Sequence, residues 1–133
     1  MEIFKIVALA LSGSLLIFGG LTRIIDPVKN YMKGTGIKIE NEVNNLSEAR
    51  GVSALMTLGG IIMLLGIFIP MMAMTSHVVA ILILMGFGFG RSLSFVLDGK
   101  PNKLLVTGLV SELVLGTLNI ISLIFLLLVF LQT

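Results

Sequence analysis

Cysteine and tryptophan are absent from this 133-residue chain, and histidine and tyrosine occur once each. Without cysteine there is no disulfide, no thiolate nucleophile and no cysteine-ligated metal or iron–sulfur centre. With His77 alone there is no histidine-rich metal site. Charge is scarce as well: charged residues make up 12% of the chain and the net charge is +2, too weak a balance to point to nucleic acid. What remains is apolar. Hydrophobic residues account for 56% and the mean hydropathy is +1.12, a composition that implies an integral membrane protein of one domain, residues 1–133.

Four runs are long enough to cross a bilayer, which takes ~20 apolar residues. They are about Ile3–Leu21, Ala49–Ile69, Val78–Leu97 and Leu104–Leu131. In lipid every backbone polar group needs an internal partner, so uninterrupted apolar runs are expected to be helices. The first run contains small residues, Gly13, Ser14 and Gly19-Gly20, but the apolar stretch continues around them to Ile25, so it reads as a retained span rather than a cleaved secretory signal. The expected fold is all-α, an antiparallel four-helix transmembrane bundle.

The connections differ. Pro70–Ser76 and Asp98-Gly99-Lys100-Pro101 are short and make antiparallel neighbours of the spans they join. Arg23–Leu46 is long. Within it, Asp26-Pro27 reads as an N-cap followed by proline at the first helical position. Val28, Tyr31 and Met32 then form the apolar side of a short interfacial helix, with Lys29 and Lys33 on its wet side and Gly34-Thr35-Gly36 ending it. Ile37–Asn45 reads as irregular loop or a short strand-like piece, and Ser47 as the N-cap of the second span. Of the nine basic residues, Arg23, Lys29, Lys33, Lys38, Arg50, Arg91, Lys100 and Lys103 lie on or beside the first and third connections, against Lys5 at the other end. The positive-inside rule places those connections in the cytoplasm and both termini outside, in a plasma (inner) membrane.

Glu48, Arg50, Arg91 and Glu112 interrupt segments that otherwise read as membrane. A charge in hydrocarbon costs roughly 2.5–3.5 kcal/mol on insertion scales and persists where it pairs, faces the bundle interior or meets a ligand. On the fourth span, Gly108, Ser111, Glu112, Leu115, Gly116, Asn119 and Ser122 share a face at helical spacing, a small and polar stripe opposite an apolar back. On the third, Phe87, Arg91, Ser94 and Asp98 share a face, and Gly86 and Gly90 form a separate small-residue ridge. Arg91 and Glu112 fall at similar depth on neighbouring spans and are expected to pair. Glu48, Arg50, Arg91, Ser94, Asp98 and Glu112 are therefore expected to converge on one ligand-binding pocket in the cytoplasmic half. The first span supplies only Arg23 at that level and is expected to be a movable or lipid-facing wall. Against these readings stand plainer ones: Glu112 as one half of a structural ion pair, Glu48 as a helix-start carboxylate, Arg50 as a snorkelling cation. His77 is expected to be a solvated residue beside the outer turn, and the methionines to be apolar filler.

Glu48-x-Arg50-Gly51, Gly59-Gly60, Gly88-x-Gly90-Arg91, Asp98-Gly99-x-Pro101 and Glu112, in that order, resemble the pattern of the DUF4345 family, small bacterial four-helix membrane proteins similar in layout to the DoxX-like group. The resemblance spans about Leu21–Leu118. It departs at Val52-Ser53, where an aromatic residue and a glycine are expected. It implies architecture and supplies no reaction. The expected function is a membrane protein that binds a lipid-like, quinone-like or other amphipathic molecule, or serves as accessory subunit of a membrane complex. The alternative is a dimeric, proton-coupled small-molecule transporter using Glu112. An enzyme is the third class, disfavoured because the chain shows no cofactor motif. Membrane lipids, a second copy or a larger complex are the expected partners, and no cofactor or metal is specified.

Overall fold

The computed structural model describes residues 1–133 and is built from helices: α1 Glu2–Ile25, α2 Pro27–Thr35, α3 Val43–Phe68, α4 Ala73–Asp98 and α5 Lys103–Gln132. Four of them, all but α2, are long and apolar enough to cross a membrane, and the chain is a multi-pass membrane protein. Consecutive long helices run antiparallel, with α1 packed most closely on α3 and α4 between α3 and α5.

Caps set the ends. Asp26 Oδ1 accepts from the Lys29 N–H at 3.3 Å, Pro27 opens α2, and Gly36 closes it at φ 72°, a conformation that glycine adopts without Cβ strain. The segment Ile37–Asn41 is irregular, with no strand. The α3 helix starts earlier than its apolar run: Glu42, rather than Ser47, is the cap, accepting from the Asn44 and Asn45 N–H groups at 3.1 and 3.4 Å. The hydrated turn before the membrane carries no hydrophobic signal, so the apolar pattern alone starts the helix too late. The turn between α3 and α4 is likewise shorter than read. Pro70–Met72 is a single 3-10 turn, and Ser76 and His77 lie inside the helix.

Leu9, Leu16, Met56, Met63, Ala80 and Leu84 form the apolar core, drawn from α1, α3 and α4. The α1–α3 contact is a backbone-to-backbone approach. A Cβ placed on Gly60 would lie 2.7 Å from the Gly13 carbonyl oxygen. Glycine at both positions is what allows this approach, as expected where lipid offers helices no hydrophobic drive to associate. The first span is thus held closely against α3 and is not a movable wall, while Leu11, Leu15 and Phe18 on its other side are exposed. The Gly86/Gly90 ridge is also corrected. Both glycines are exposed, and a Cβ on either would meet nothing within 4 Å. Gly88, between them, is the buried one, against Leu113 of α5.

Candidate functional site

Of the α5 stripe, Glu112, Gly116, Asn119 and Ser122 are buried, with Leu109 beside them, while Gly108, Ser111 and Leu115 are half-buried. The stripe meets two separate polar centres, one in each half of the bundle.

At the basic end, Arg91 of α4 donates to Glu112 Oε1 of α5. The Arg91 guanidinium also lies 5.4 Å from the Phe87 ring centroid. A Cβ on Gly108 would come within 3.0 Å of Arg91 Nη1, so the glycine makes room for the guanidinium. Glu112 is 8% exposed, and its second oxygen, Oε2, is buried without a hydrogen-bond partner. Beside the pair lies a cavity of about 240 Å³ whose polar lining includes Arg23 from α1, Thr35 from α2, Arg91 from α4, and Ser111 and Glu112 from α5. Leu15, Leu16, Met56, Leu104 and Leu105 supply its apolar wall. Asn102 closes the basic end, donating from Nδ2 to the Thr35 carbonyl at 2.9 Å while its Oδ1 caps α5 at Leu105 N–H.

Arg23 is the residue whose weight sequence reasoning underrated. Its guanidinium stands 5.0 Å from the Tyr31 ring centroid and 3.9 Å from Met56 Sδ, and it has neither a carboxylate nor an oxygen acceptor. Gly34 faces it, leaving 3.1 Å between a would-be Cβ and Nη2. The signal was present: an arginine three residues from the end of an apolar run, one turn before a helix bearing a glycine. What was missing was the fold of α2 back against α1.

The six expected residues do not converge. Arg91 and Glu112 share the cavity; the other four do not line it. Glu48 is exposed on the hydrated first part of α3. Arg50 is exposed and donates from Nε to the Ile24 carbonyl at 2.9 Å, closing the C-terminal turn of α1. Ser94 donates to Asp98 Oδ2 at 2.7 Å within one exposed turn of α4. Ser94 also borders a small hollow of about 80 Å³ with Arg91, Pro101 and Leu105. The physical reason is level along α3: Glu48 shares a helical face with Gly59, which meets Ile83 and Val79 of α4, but it lies a turn and a half into the helix, where it is exposed and outside the cavity.

The second centre was not expected. His77 is fully buried, not solvated, and lies between Asn119 Oδ1 at 2.9 Å from Nδ1 and Ser122 Oγ at 3.0 Å from Nε2. Asn119 Nδ2 donates to the Leu115 carbonyl at 2.8 Å and to Ser12 Oγ at 2.9 Å. A carbonyl only accepts, so the amide nitrogen is placed, Oδ1 faces the ring, and Nδ1 carries the proton. Nε2 then accepts from the Ser122 hydroxyl. The chain Ser12–Asn119–His77–Ser122 ties α1, α4 and α5 together, with all its polar atoms partnered. Such a set locks a bundle in lipid, where an unmade hydrogen bond has no water to replace it.

A family model described as a domain of unknown function (DUF4345) matches residues 4–128. Comparison with curated proteins and with solved structures gives no match.

Proposed function

The chain belongs to the DUF4345 family, a membership that carries no activity, and from its geometry we propose that it binds an amphipathic small molecule, with the polar head in the Arg23/Arg91/Glu112 cavity. The single observation that carries this is Arg23. A half-buried guanidinium facing a cavity, with no oxygen acceptor, is costly in a bundle unless something anionic or strongly polar answers it. Arg91 is already engaged by Glu112, so an incoming group meets one free cation beside an ion pair. The apolar wall continues to Leu15, which is 44% exposed on the outer surface of α1, giving a hydrocarbon tail a way into the lipid. Membrane lipids are the natural source of such a molecule.

Proton-coupled transport through Glu112 draws less support, because Arg91 already engages one of its oxygens. The lopsided basic residues favour an orientation with the α1–α3 and α4–α5 connections in the cytoplasm and the termini outside, in a plasma (inner) membrane. The head of the ligand then lies at the cytoplasmic side.

Native mass spectrometry of the gently extracted protein tests the reading. We expect an adduct of lipid-like mass that is retained after annular lipid is stripped and is lost from Arg23→Leu. Retention of the same adduct by Arg23→Leu contradicts it.

A further inference from the structure

Two further features of the cavity restrict what its occupant can be. The first is Glu112 Oε2. It belongs to Glu112, a residue 8% exposed that lines the cavity, and it is itself buried and accepts no hydrogen bond from the protein. A buried carboxylate oxygen left without a donor is expensive, and the groups nearest by sequence cannot supply one. The hydroxyl of Ser111 is spent on the Thr107 carbonyl at 2.9 Å, and that of Thr107 on the Lys103 carbonyl at 2.9 Å. An occupant that carries a donor can answer it.

The second is an adjoining hollow of about 360 Å³ between α1 and α2, which shares Leu15, Gly19, Arg23 and Gly34 with the first cavity. It adds Lys33, an exposed lysine with no carboxylate partner. Its other polar side chains are committed: Asn30 Nδ2 donates to the Thr22 carbonyl at 2.7 Å, and Thr22 Oγ1 to the Phe18 carbonyl at 2.9 Å. Arg23, Lys33 and Arg91 thus face a space whose one acid is Glu112, leaving two positive charges unanswered. Phe18, 72% exposed, and Leu15 form the wall of this space on the lipid side.

Resting on the reading that the cavity holds an amphipathic molecule, we propose that the headgroup is a phosphate ester bearing a free hydroxyl, of the phosphoglycerol class. The phosphate sits between Arg23 and Lys33, and the hydroxyl donates to Glu112 Oε2. Phosphate offers several acceptor oxygens to cations that arrive from two different helices, and its contacts to arginine and lysine are charge-assisted. A fatty carboxylate answers Arg23 but brings no donor to Glu112. A neutral acylglycerol brings the donor but leaves the cations unanswered. The acyl chains run over Leu15 and Phe18 into the bilayer.

Binding of four defined compounds to the full chain in detergent, read by native mass spectrometry, tests this. Three lipids have identical acyl chains: phosphatidylglycerol has phosphate and hydroxyl, phosphatidylmethanol has the same charge without the hydroxyl, and diacylglycerol has a hydroxyl without phosphate. The fourth compound is soluble glycerol phosphate. Phosphatidylglycerol is expected to be retained about tenfold more than either other lipid, the scale of one charge-assisted hydrogen bond. Lys33→Gln, at an exposed site that does not endanger folding, and Arg23→Gln should each erode the preference over diacylglycerol. Glu112→Gln keeps an oxygen for Arg91 but leaves the lipid hydroxyl only a neutral amide as partner, and should weaken the preference over phosphatidylmethanol. Equal retention of phosphatidylglycerol and diacylglycerol overturns the phosphate, and equal retention of phosphatidylglycerol and phosphatidylmethanol overturns the hydroxyl; both leave the pocket reading standing. Lipid binding untouched by Thr107→Phe, which fills the cavity from an exposed position, overturns the pocket reading itself. Competition by glycerol phosphate at the same concentration supports the headgroup and moves its source from the membrane to solution.

Discussion

Glu112 and His77 are both buried ionisable side chains on the α4–α5 interface, and they are satisfied differently. Glu112 relies on a single charged partner and leaves one oxygen free; His77 has both ring nitrogens hydrogen-bonded to neutral groups. The consequences of mutation differ accordingly. Glu112→Ala strands Arg91, whose side chain is 30% exposed and finds some relief at the surface. We expect a loss near the lower end of about 3–5 kcal/mol. Arg91→Leu/Glu112→Leu together should cost less than the sum of the single changes, and additivity in a double-mutant cycle followed by denaturant titration in detergent argues against the pair. His77→Ala removes the partners of Asn119 Oδ1 and the Ser122 hydroxyl and should cost about 1–3 kcal/mol. Ser122→Ala costs less, because Nε2 of His77 alone loses its partner. A His77→Ala protein as stable as the wild type is incompatible with a locking role.

Among the elements, the α1–α3 contact depends on glycine where the exposed Gly86/Gly90 ridge of α4 does not. Gly60→Ala brings a methyl against the Gly13 carbonyl and Ile17, so the helices must separate, and overpacking of this kind costs about 1–3 kcal/mol. Gly90→Ala meets nothing and removes a flexible residue from a helix interior, so stability should be unchanged or higher by up to about 1 kcal/mol. Thermal unfolding of the two variants in one detergent decides the matter: equal losses contradict the close α1–α3 approach. These elements also show what a one-dimensional pattern carries. Apolar run length was sufficient for four spans, and Asp26-Pro27 was sufficient for α2. The inward face of α5 was legible because its small and polar residues recur at helical spacing. Run length could not locate the start of α3, since the Glu42 cap and the turn after it are hydrated. Nor could it tell that Gly88, and not Gly86 or Gly90, touches a neighbour, because all three are equally small.

For the whole molecule, the proposed orientation rests on the placement of the basic residues. Lys38 lies on the exposed first connection, and Met71, 93% exposed, tips the turn between α3 and α4. The chain has no cysteine, so single cysteines at these positions report without background. An impermeant thiol reagent applied to intact cells should modify Met71→Cys and spare Lys38→Cys until the membrane is opened. The opposite pattern inverts the topology and moves the cavity to the outer side.

Hydropathy, run length and charge placement are additive properties of the chain, and from them alone follow a multi-pass helical bundle and the depth at which Arg91 and Glu112 lie. Which charges share a space is not additive. It depends on helix rotation and on the path of the connections, and these are set by contacts between residues distant in sequence: Gly13 with Gly60, Ser12 with Asn119, Asn102 with Thr35. Those contacts left Glu48 exposed beyond the cavity, brought α2 back over Arg23 and buried His77, so the membership of the cavity was decided by the tertiary structure.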